Sequence, residues 1–108
     1  MSDLEIPIIH IKDNELKIAY NVFRAINHPL RKQICKIIEA MTQATVTEIY
    51  RGLKIEQSVA SLHLKFLREA HIVRTERKGR FIMYMPDYIR ATKLKKIIAQ
   101  IIEEVILD

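Results

Sequence analysis

The sequence has little of what several protein classes require. Its single cysteine, Cys35, excludes an internal disulfide, and two glycines and three prolines in 108 residues are too few for the many tight turns of an all-β fold. No run approaches the roughly 20 apolar residues that cross a bilayer, and Met1–Glu5 lack the basic region of a secretory signal. We therefore expect one helix-rich, cytoplasmic domain that does not enter a membrane.

Positive charge is concentrated in one third of the chain, and the formal net charge is +5. Residues 51–80 hold eight lysines and arginines against three acidic residues, whereas the other 78 residues hold ten of each sign. Such a bias is typical of a protein with a polyanionic partner, with nucleic acid the first interpretation and an acidic membrane surface the second. A basic surface that is merely solvated is the alternative.

Residues 1–12 are predicted to form an N-terminal arm, because Pro7 disfavours a helix there, and residues 13–108 are predicted to form a single domain. Apolar residues at three- and four-residue steps predict a first helix from Asp13. They also predict a second helix that begins at Pro29, where the missing proline N–H costs nothing.

The middle of the chain predicts two helices joined by a tight turn. Thr45-Val46-Thr47-Glu48 matches a capping box and would begin a short third helix. After a turn around Leu53-Lys54-Ile55, apolar residues at helical spacing predict a fourth helix over about residues 56–70.

Beyond residue 70 the pattern changes to that of a hairpin and then of a long helix. Residues 72–85 are rich in apolar and aromatic side chains around Arg77-Lys78-Gly79-Arg80, where Gly79 can supply a positive φ. Asp87 can cap a last helix over about residues 87–107. This mainly α order with a small basic β-hairpin predicts a winged helix-turn-helix, in which the fourth helix enters the major groove of DNA and the hairpin, or wing, reaches the backbone.

The outward face of the fourth helix predicts the DNA contacts, because Ala60, Leu64 and Leu67 mark its inward face. Gln57 and the two serines suit base edges or phosphates, and the basic side chains supply mostly non-specific attraction. For Gln57 and Ser58 the alternative is that they only help to start a helix. The predicted DNA-binding residues are Gln57, Ser58, Ser61, Leu62, Lys65, Arg68, Arg77, Lys78 and Arg80.

Two apolar stripes, on the first and last helices, exceed what a small winged helix can cover. Because burial of one isoleucine contributes about 1.5–3 kcal/mol, several exposed ones would drive self-association. We expect helices 1 and 5 to form a homodimer interface; the alternative is that the last helix folds back within its own chain. The predicted interface residues are Leu16, Ala19, Tyr20, Phe23, Leu94, Ile97, Ile98, Ile101, Ile102 and Val105.

The segment Glu56–Val73, EQSVASLHLKFLREAHIV, resembles the recognition helix of the ArsR family of bacterial and archaeal winged-helix repressors, S-Q-S-T-V-S-x-H-L-K-x-L-R-E-A-G-L-V. Asn27-His28-Pro29-Leu30-Arg31 looks like the family's start of the second helix, and the basic hairpin tip like its wing. The resemblance covers about sixty residues. It implies a homodimeric repressor that binds double-stranded DNA at an inverted-repeat operator, with release triggered by a ligand or a modification.

The chain departs from the family pattern where relatives bind metals. The resemblance places a thiolate pair at the start of the third helix, where this chain has Thr45-Val46-Thr47, and Asp and His ligands in the last helix, where residues 87–108 contain no histidine. We therefore expect no metal response through these sites and no cofactor. An unknown small-molecule or redox signal stays open.

Three further departures concern single residues. Leu62 stands where the family often carries Arg or another polar residue, so base reading there is either lost or replaced by apolar contact with a thymine methyl. Lys54 and His71 stand where the family often has glycine, and neither is expected to break the fold.

The rival interpretation is a winged-helix module that binds a partner protein through Leu62 and the hairpin, with weak or no DNA binding. An enzyme is not expected, because the sequence has no Gly-rich phosphate loop, no clustered carboxylate pair and no favourable Cys–His or Ser–His spacing.

Overall fold

The computed structural model describes residues 12–107, so the predicted N-terminal arm lies outside the described residues except for Lys12. This part of the chain forms five α-helices, one two-stranded sheet and a short π-helical end. The elements in order are α1 (Asp13–Ile26), α2 (Pro29–Met41), α3 (Val46–Leu53), α4 (Gln57–Glu69), β1 (Val73–Lys78), β2 (Phe81–Pro86), α5 (Tyr88–Ile101) and the π-helical segment Ile102–Leu107. The predicted fold, mainly α with a small hairpin, is confirmed.

The starts of α2 and α3 follow from local side-chain chemistry. The Leu30 N–H donates to Nδ1 of His28 at 3.1 Å, and Pro29 occupies the first helical position. In α3 the Glu48 N–H donates to Oγ1 of Thr45, while the Thr45 N–H donates to Oε1 of Glu48 at 2.9 Å. These contacts satisfy N–H groups that have no partner within a helix, and they confirm the predicted capping box.

The two strands form an antiparallel hairpin, in which Val73 lies opposite Pro86 and Lys78 opposite Phe81. Its turn is tighter than the sequence indicated. Strand β1 continues to Lys78 and β2 begins at Phe81, so only Gly79 and Arg80 form the turn. Gly79 occupies the turn at φ 63°, the left-handed conformation that two-residue hairpin turns require. The basic side chains therefore lie at the very end of the hairpin.

The main core lies between α2, α3, α4 and the base of the hairpin. Its largest side chains are fully buried: Ile34, Ile38, Ile49, Leu64 and Leu67. Because α3 and α4 both contribute to this core, their mutual position is fixed by close packing. The opposite face of α4 is left free.

The hairpin is attached to the helical body by backbone hydrogen bonds. The Ala44 N–H donates to the Tyr84 carbonyl at 2.9 Å, and the Tyr84 N–H donates to the Ala44 carbonyl at 2.7 Å. At the hairpin base, the Asp87 N–H donates to the Ile72 carbonyl at 2.9 Å. The segment that leads into α3 is thereby joined to β2.

The last helix packs against the first. Ala19 and Val22 of α1 and Ile97 of α5 are buried in the single chain. Part of each predicted apolar stripe is therefore covered without a second copy. No helix in residues 12–107 is long and apolar enough to span a membrane.

Candidate nucleic-acid interface

The predicted recognition helix, α4, presents to solvent a largely polar and basic face opposite Ala60, Leu64 and Leu67, which we call the recognition surface. Ala60, Leu64 and Leu67 have no exposed surface, as the helical spacing predicted. On the other side the structure places five of the predicted DNA-binding residues together in exposed positions: Gln57, Ser58, Ser61, Lys65 and Arg68. Short polar groups in the first half of the helix are thus followed by cations in the second half.

The first turn of α4 can accept an anion. Its first intrahelical hydrogen bonds run from the N–H groups of Val59 and Ala60 to the Glu56 carbonyl, both at 3.1 Å. The N–H groups of Gln57 and Ser58 precede these bonds, and the Glu56 side chain does not cap the helix. Amides in this position, together with the helix dipole, favour a phosphate.

The wing carries its cations at the tip. Arg77, Lys78 and Arg80 are all exposed. The Arg77 Nε donates to the Gly79 carbonyl at 3.0 Å, and the Arg80 guanidinium lies 5.2 Å from the centre of the Phe81 ring. These contacts orient the two arginines while leaving their charge uncompensated.

Further down the wing, Arg74 is paired with a carboxylate. Its Nη1 lies 3.3 Å from Oε2 of Glu76, and both side chains are about half exposed. An exposed pair of this kind contributes little to stability, but the carboxylate offsets the positive charge that Arg74 offers to a polyanion. The strongest positive field of the hairpin is therefore at its end.

Arg31 joins three helices beside the recognition surface. Its Nε donates to Nδ1 of His63 at 3.2 Å, and its Nη1 donates to the Ala25 carbonyl at 3.2 Å. Its guanidinium also lies 4.3 Å from the centre of the Phe66 ring. Arg31 was not among the functional residues predicted from the sequence, although it is the last residue of the family-like segment Asn27-His28-Pro29-Leu30-Arg31.

The surroundings of His63 favour the neutral form of its imidazole. Burial lowers the pKa of its imidazole, and the neighbouring His28 and Arg31 lower it further. The rings of His28 and His63 lie 4.6 Å apart, centre to centre. A neutral His63 keeps Nδ1 free to accept from Arg31, so the lowered pKa and the hydrogen bond support each other.

Apolar side chains also lie on the outer part of α4. Leu62 was expected there, and it is 53% exposed. Val59 and Phe66, which were not predicted as site residues, are exposed as well. Their positions on the helical wheel were the available signal, since both lie outside the stripe of Ala60 and Leu64.

The residues predicted for the dimer interface fall into three groups. Leu16, Tyr20 and Phe23 on α1 and Ile102 and Val105 at the C-terminal end are exposed. Ala19 and Ile97 are buried within the chain, and Leu94, Ile98 and Ile101 are half-buried. The structure contains one copy of the chain, so this interface remains a prediction.

Cys35 is a half-buried residue that packs against the core. Burial raises the pKa of its thiol, and the Glu39 carboxylate raises it further. Both effects favour the thiol over the reactive thiolate.

In residues 12–107 there is no group of three or more His, Cys, Asp or Glu side chains that could hold a metal ion.

Comparison with known proteins identifies relatives. The family model described as "Bacterial regulatory protein, arsR family" matches residues 28–75. Transcriptional repressor SdpR of Bacillus subtilis (strain 168) is 34% identical over 64 residues, covering 59% of this chain and 70% of that protein. The uncharacterized HTH-type transcriptional regulator MJ1325 of Methanocaldococcus jannaschii is 32% identical over 80 residues, covering 74% of this chain and 86% of that protein.

Solved structures share the fold at lower identity. An ArsR-like transcriptional regulator from Rhodococcus sp. RHA1 aligns with a TM-score of 0.77 at 19% identity, covering 84% of this chain and 85% of that one. The homodimeric winged helix-turn-helix DNA-binding domain of Mb0332 from Mycobacterium bovis aligns with a TM-score of 0.68 at 20% identity. The alignment covers 96% of this chain and 94% of that one. The winged helix-turn-helix and the resemblance in the recognition helix are thereby confirmed, and the chain belongs to the ArsR family of regulatory proteins.

Proposed function

We propose that this protein is a sequence-specific DNA-binding transcriptional regulator that represses its target genes. The observation that carries the proposal is the common exposed face of α4, where Ser58, Ser61 and Lys65 lie opposite a fully buried apolar stripe. Its similarity to SdpR, which is named a transcriptional repressor, supports repression. A regulator of this kind acts on the chromosome, hence in the cytoplasm, and has no catalytic step.

In this mechanism α4 enters the major groove, where a helix fits between the phosphate backbones. Gln57, Ser58 and Ser61 contact base edges or the nearest phosphates, and the first-turn amides hold one phosphate. Lys65 and Arg68 contact the backbone beside the groove. The wing tip, with Arg77, Lys78 and Arg80, contacts the backbone on the other side of the helix-turn-helix.

Two copies would act together through α1 and the C-terminal end of the chain. Leu16, Tyr20, Phe23, Ile102 and Val105 are exposed although apolar, and a two-fold axis would cover both stripes at once. The homodimeric state named for the Mb0332 domain supports this arrangement. A dimer would place two recognition helices about 34–36 Å apart, which matches an inverted-repeat operator read on one side of the duplex.

Binding to random-sequence duplex DNA tests the proposal. We expect the full chain to shift such a duplex at about 50 mM salt. If six to ten phosphates are neutralised, the affinity should fall by about 10³–10⁵ between about 50 and 200 mM salt. A selection from a library of random duplexes should then recover a preferred inverted repeat.

The exposed Leu62 favours one other function, a module that binds a partner protein through the same face. The two functions give different results in the same assay. A protein-binding module shifts no duplex even at the lowest salt, and that result would overturn the DNA-binding proposal.

A further inference from the structure

Part of the recognition surface is apolar, and the contacts proposed above do not use it. Val59, Leu62 and Phe66 of α4 are exposed by 37%, 53% and 43%. Because a helix turns by about 100° per residue, the three follow one another along one side of α4. Ser58 and Lys65 are also exposed and lie beside this row.

Phe66 already has a partner within the chain, because the Arg31 guanidinium lies 4.3 Å from the centre of its ring. Val59 and Leu62 have no such cover in the contacts of the described residues. They occupy the third and sixth positions of α4, which begins at Gln57. The N-terminal half of a recognition helix is the part whose side chains meet base edges.

An alkyl side chain can read only one kind of group in the major groove. It offers neither donor nor acceptor, so a polar base edge placed against it would lose water without gaining a hydrogen bond. Thymine is different, because it presents its C5-methyl group in that groove. Contact with this methyl removes apolar surface of both partners from water.

The surroundings of the two side chains favour DNA over an apolar protein partner. Leu62 lies within residues 51–80, where eight basic residues stand against three acidic ones. Neighbouring Ser58 and Lys65 are exposed and suited to phosphates and polar base edges. A nucleic acid can contact Val59 and Leu62 and, at the same time, the basic residues around them.

We infer that Val59 and Leu62 read thymine methyl groups, so that each half-site carries thymine at the one or two positions opposite them. This inference rests on the proposed function, in which α4 lies in the major groove. It gives the helix two reading surfaces, one polar, formed by Ser58 and Ser61, and one apolar, formed by Val59 and Leu62.

Deoxyuridine provides a direct test, because it differs from thymidine only in lacking the methyl group. A preferred site is first selected with the full chain from random duplexes, and each thymine is then replaced in turn by deoxyuridine. We expect binding to weaken about three- to fourfold at one or two positions in each half-site, the loss expected for one buried methyl. Replacement at the other thymines should leave the affinity unchanged.

Two variants assign the effect to the side chains. Leu62→Ala should bind the thymidine and deoxyuridine forms of its position equally well, and Val59→Ala should do so at its own position. Both side chains are exposed, so truncation leaves no cavity in the core. Ile89→Ala is the matched control, because Ile89 is 85% exposed on α5, and it should keep the full preference for thymidine.

The outcomes separate this inference from the proposed function. If no duplex is bound, the proposed function fails and the inference with it. If a selected site is bound but no deoxyuridine replacement weakens it, the inference is overturned and the DNA-binding proposal stands. A preference that persists in both alanine variants also overturns it, because another group would then read the methyl.

Discussion

The Nε of Arg31 donates a hydrogen bond to Nδ1 of His63 at 3.2 Å, and this bond joins α2 to the recognition helix. It requires the neutral form of the imidazole, because a protonated histidine has no ring nitrogen left to accept. The position of the recognition helix on α2 is thereby coupled to one titratable group.

Acid should weaken the fold through His63. Burial first, then His28 and Arg31, lower its pKa in the folded chain. As the pH falls below about 6.5, the unfolded chain takes up the proton first, so the free energy of unfolding should fall until the lowered pKa is reached. Above about pH 6.5, His63 should cause no change in the free energy of unfolding.

Urea unfolding of the wild type and of His63→Gln between about pH 8 and pH 5 measures this effect. Glutamine cannot take up the proton, and its Oε1 can still accept from Arg31. The variant should therefore lose less stability in acid than the wild type. If the free energies of unfolding of the two proteins fall by the same amount between these pH values, the role given to His63 is contradicted.

The proposed dimer should depend on exposed apolar residues of α1. Tyr20 is 62% exposed, so Tyr20→Glu leaves the core of the single chain intact but places a charge in the interface. Sedimentation should give the mass of two chains for the wild type at micromolar concentration and a mass nearer one chain for the variant. Ile89→Glu is the control and should remain dimeric; a wild type with the mass of one chain refutes the dimer.

Basic and polar residues of the recognition surface should act differently on binding. Lys65→Ala or Arg80→Ala should weaken binding to every sequence and reduce the salt slope by about one, because each removes one phosphate contact. Gln57→Ala should reduce discrimination between sequences more than affinity. Titrations of a selected site and a scrambled duplex at two salt concentrations distinguish these effects.

The control for charge is Lys17→Ala, because Lys17 is an exposed lysine of α1 outside residues 51–80. It should leave the salt slope unchanged. If Lys65, Arg80 and Gln57 can all be replaced without any change in affinity, α4 and the wing do not form the DNA-binding face.

Glycine should stabilise the turn after α4. His71 adopts φ 59°, a left-handed conformation that costs a residue with a Cβ about 1–2 kcal/mol. After allowance for the greater freedom of glycine in the unfolded chain, His71→Gly should raise the free energy of unfolding by about 0.5–1 kcal/mol. Urea denaturation measures the change.

The neighbouring residue gives a matched control. Ala70 has φ −82°, which suits any residue, so Ala70→Gly should lower the stability by about 0.5–1 kcal/mol. If both variants are destabilised to the same extent, the backbone at His71 carries no strain that glycine relieves.

Local pattern was enough to predict much of the fold. Thr45 and Glu48 predict the start of α3, because a capping box involves only two residues that are three positions apart. Ala60, Leu64 and Leu67 define the inward face of α4 because helical spacing alone decides which residues share a face. The exposed positions of Ser58, Ser61 and Lys65 follow from the same geometry, and so does much of the candidate site.

Contacts between distant segments could not be predicted in this way. Arg31 meets His63 across 32 residues, and nothing in the local pattern of either helix encodes that approach. Periodicity also identifies an apolar face without saying what covers it. Ala19 is buried within the single chain, whereas Tyr20, the next residue, is largely exposed, and the packing of other helices on α1 decides which of the two is covered.

The paired hydrogen bonds between Ala44 and Tyr84 have a consequence for control. They fasten the hairpin to the residues that precede α3, and α3 shares its core with α4. In the proposed dimer, each copy would therefore present a footprint of constant outline to the double helix, and an inducer would release the DNA by altering the distance between the two footprints.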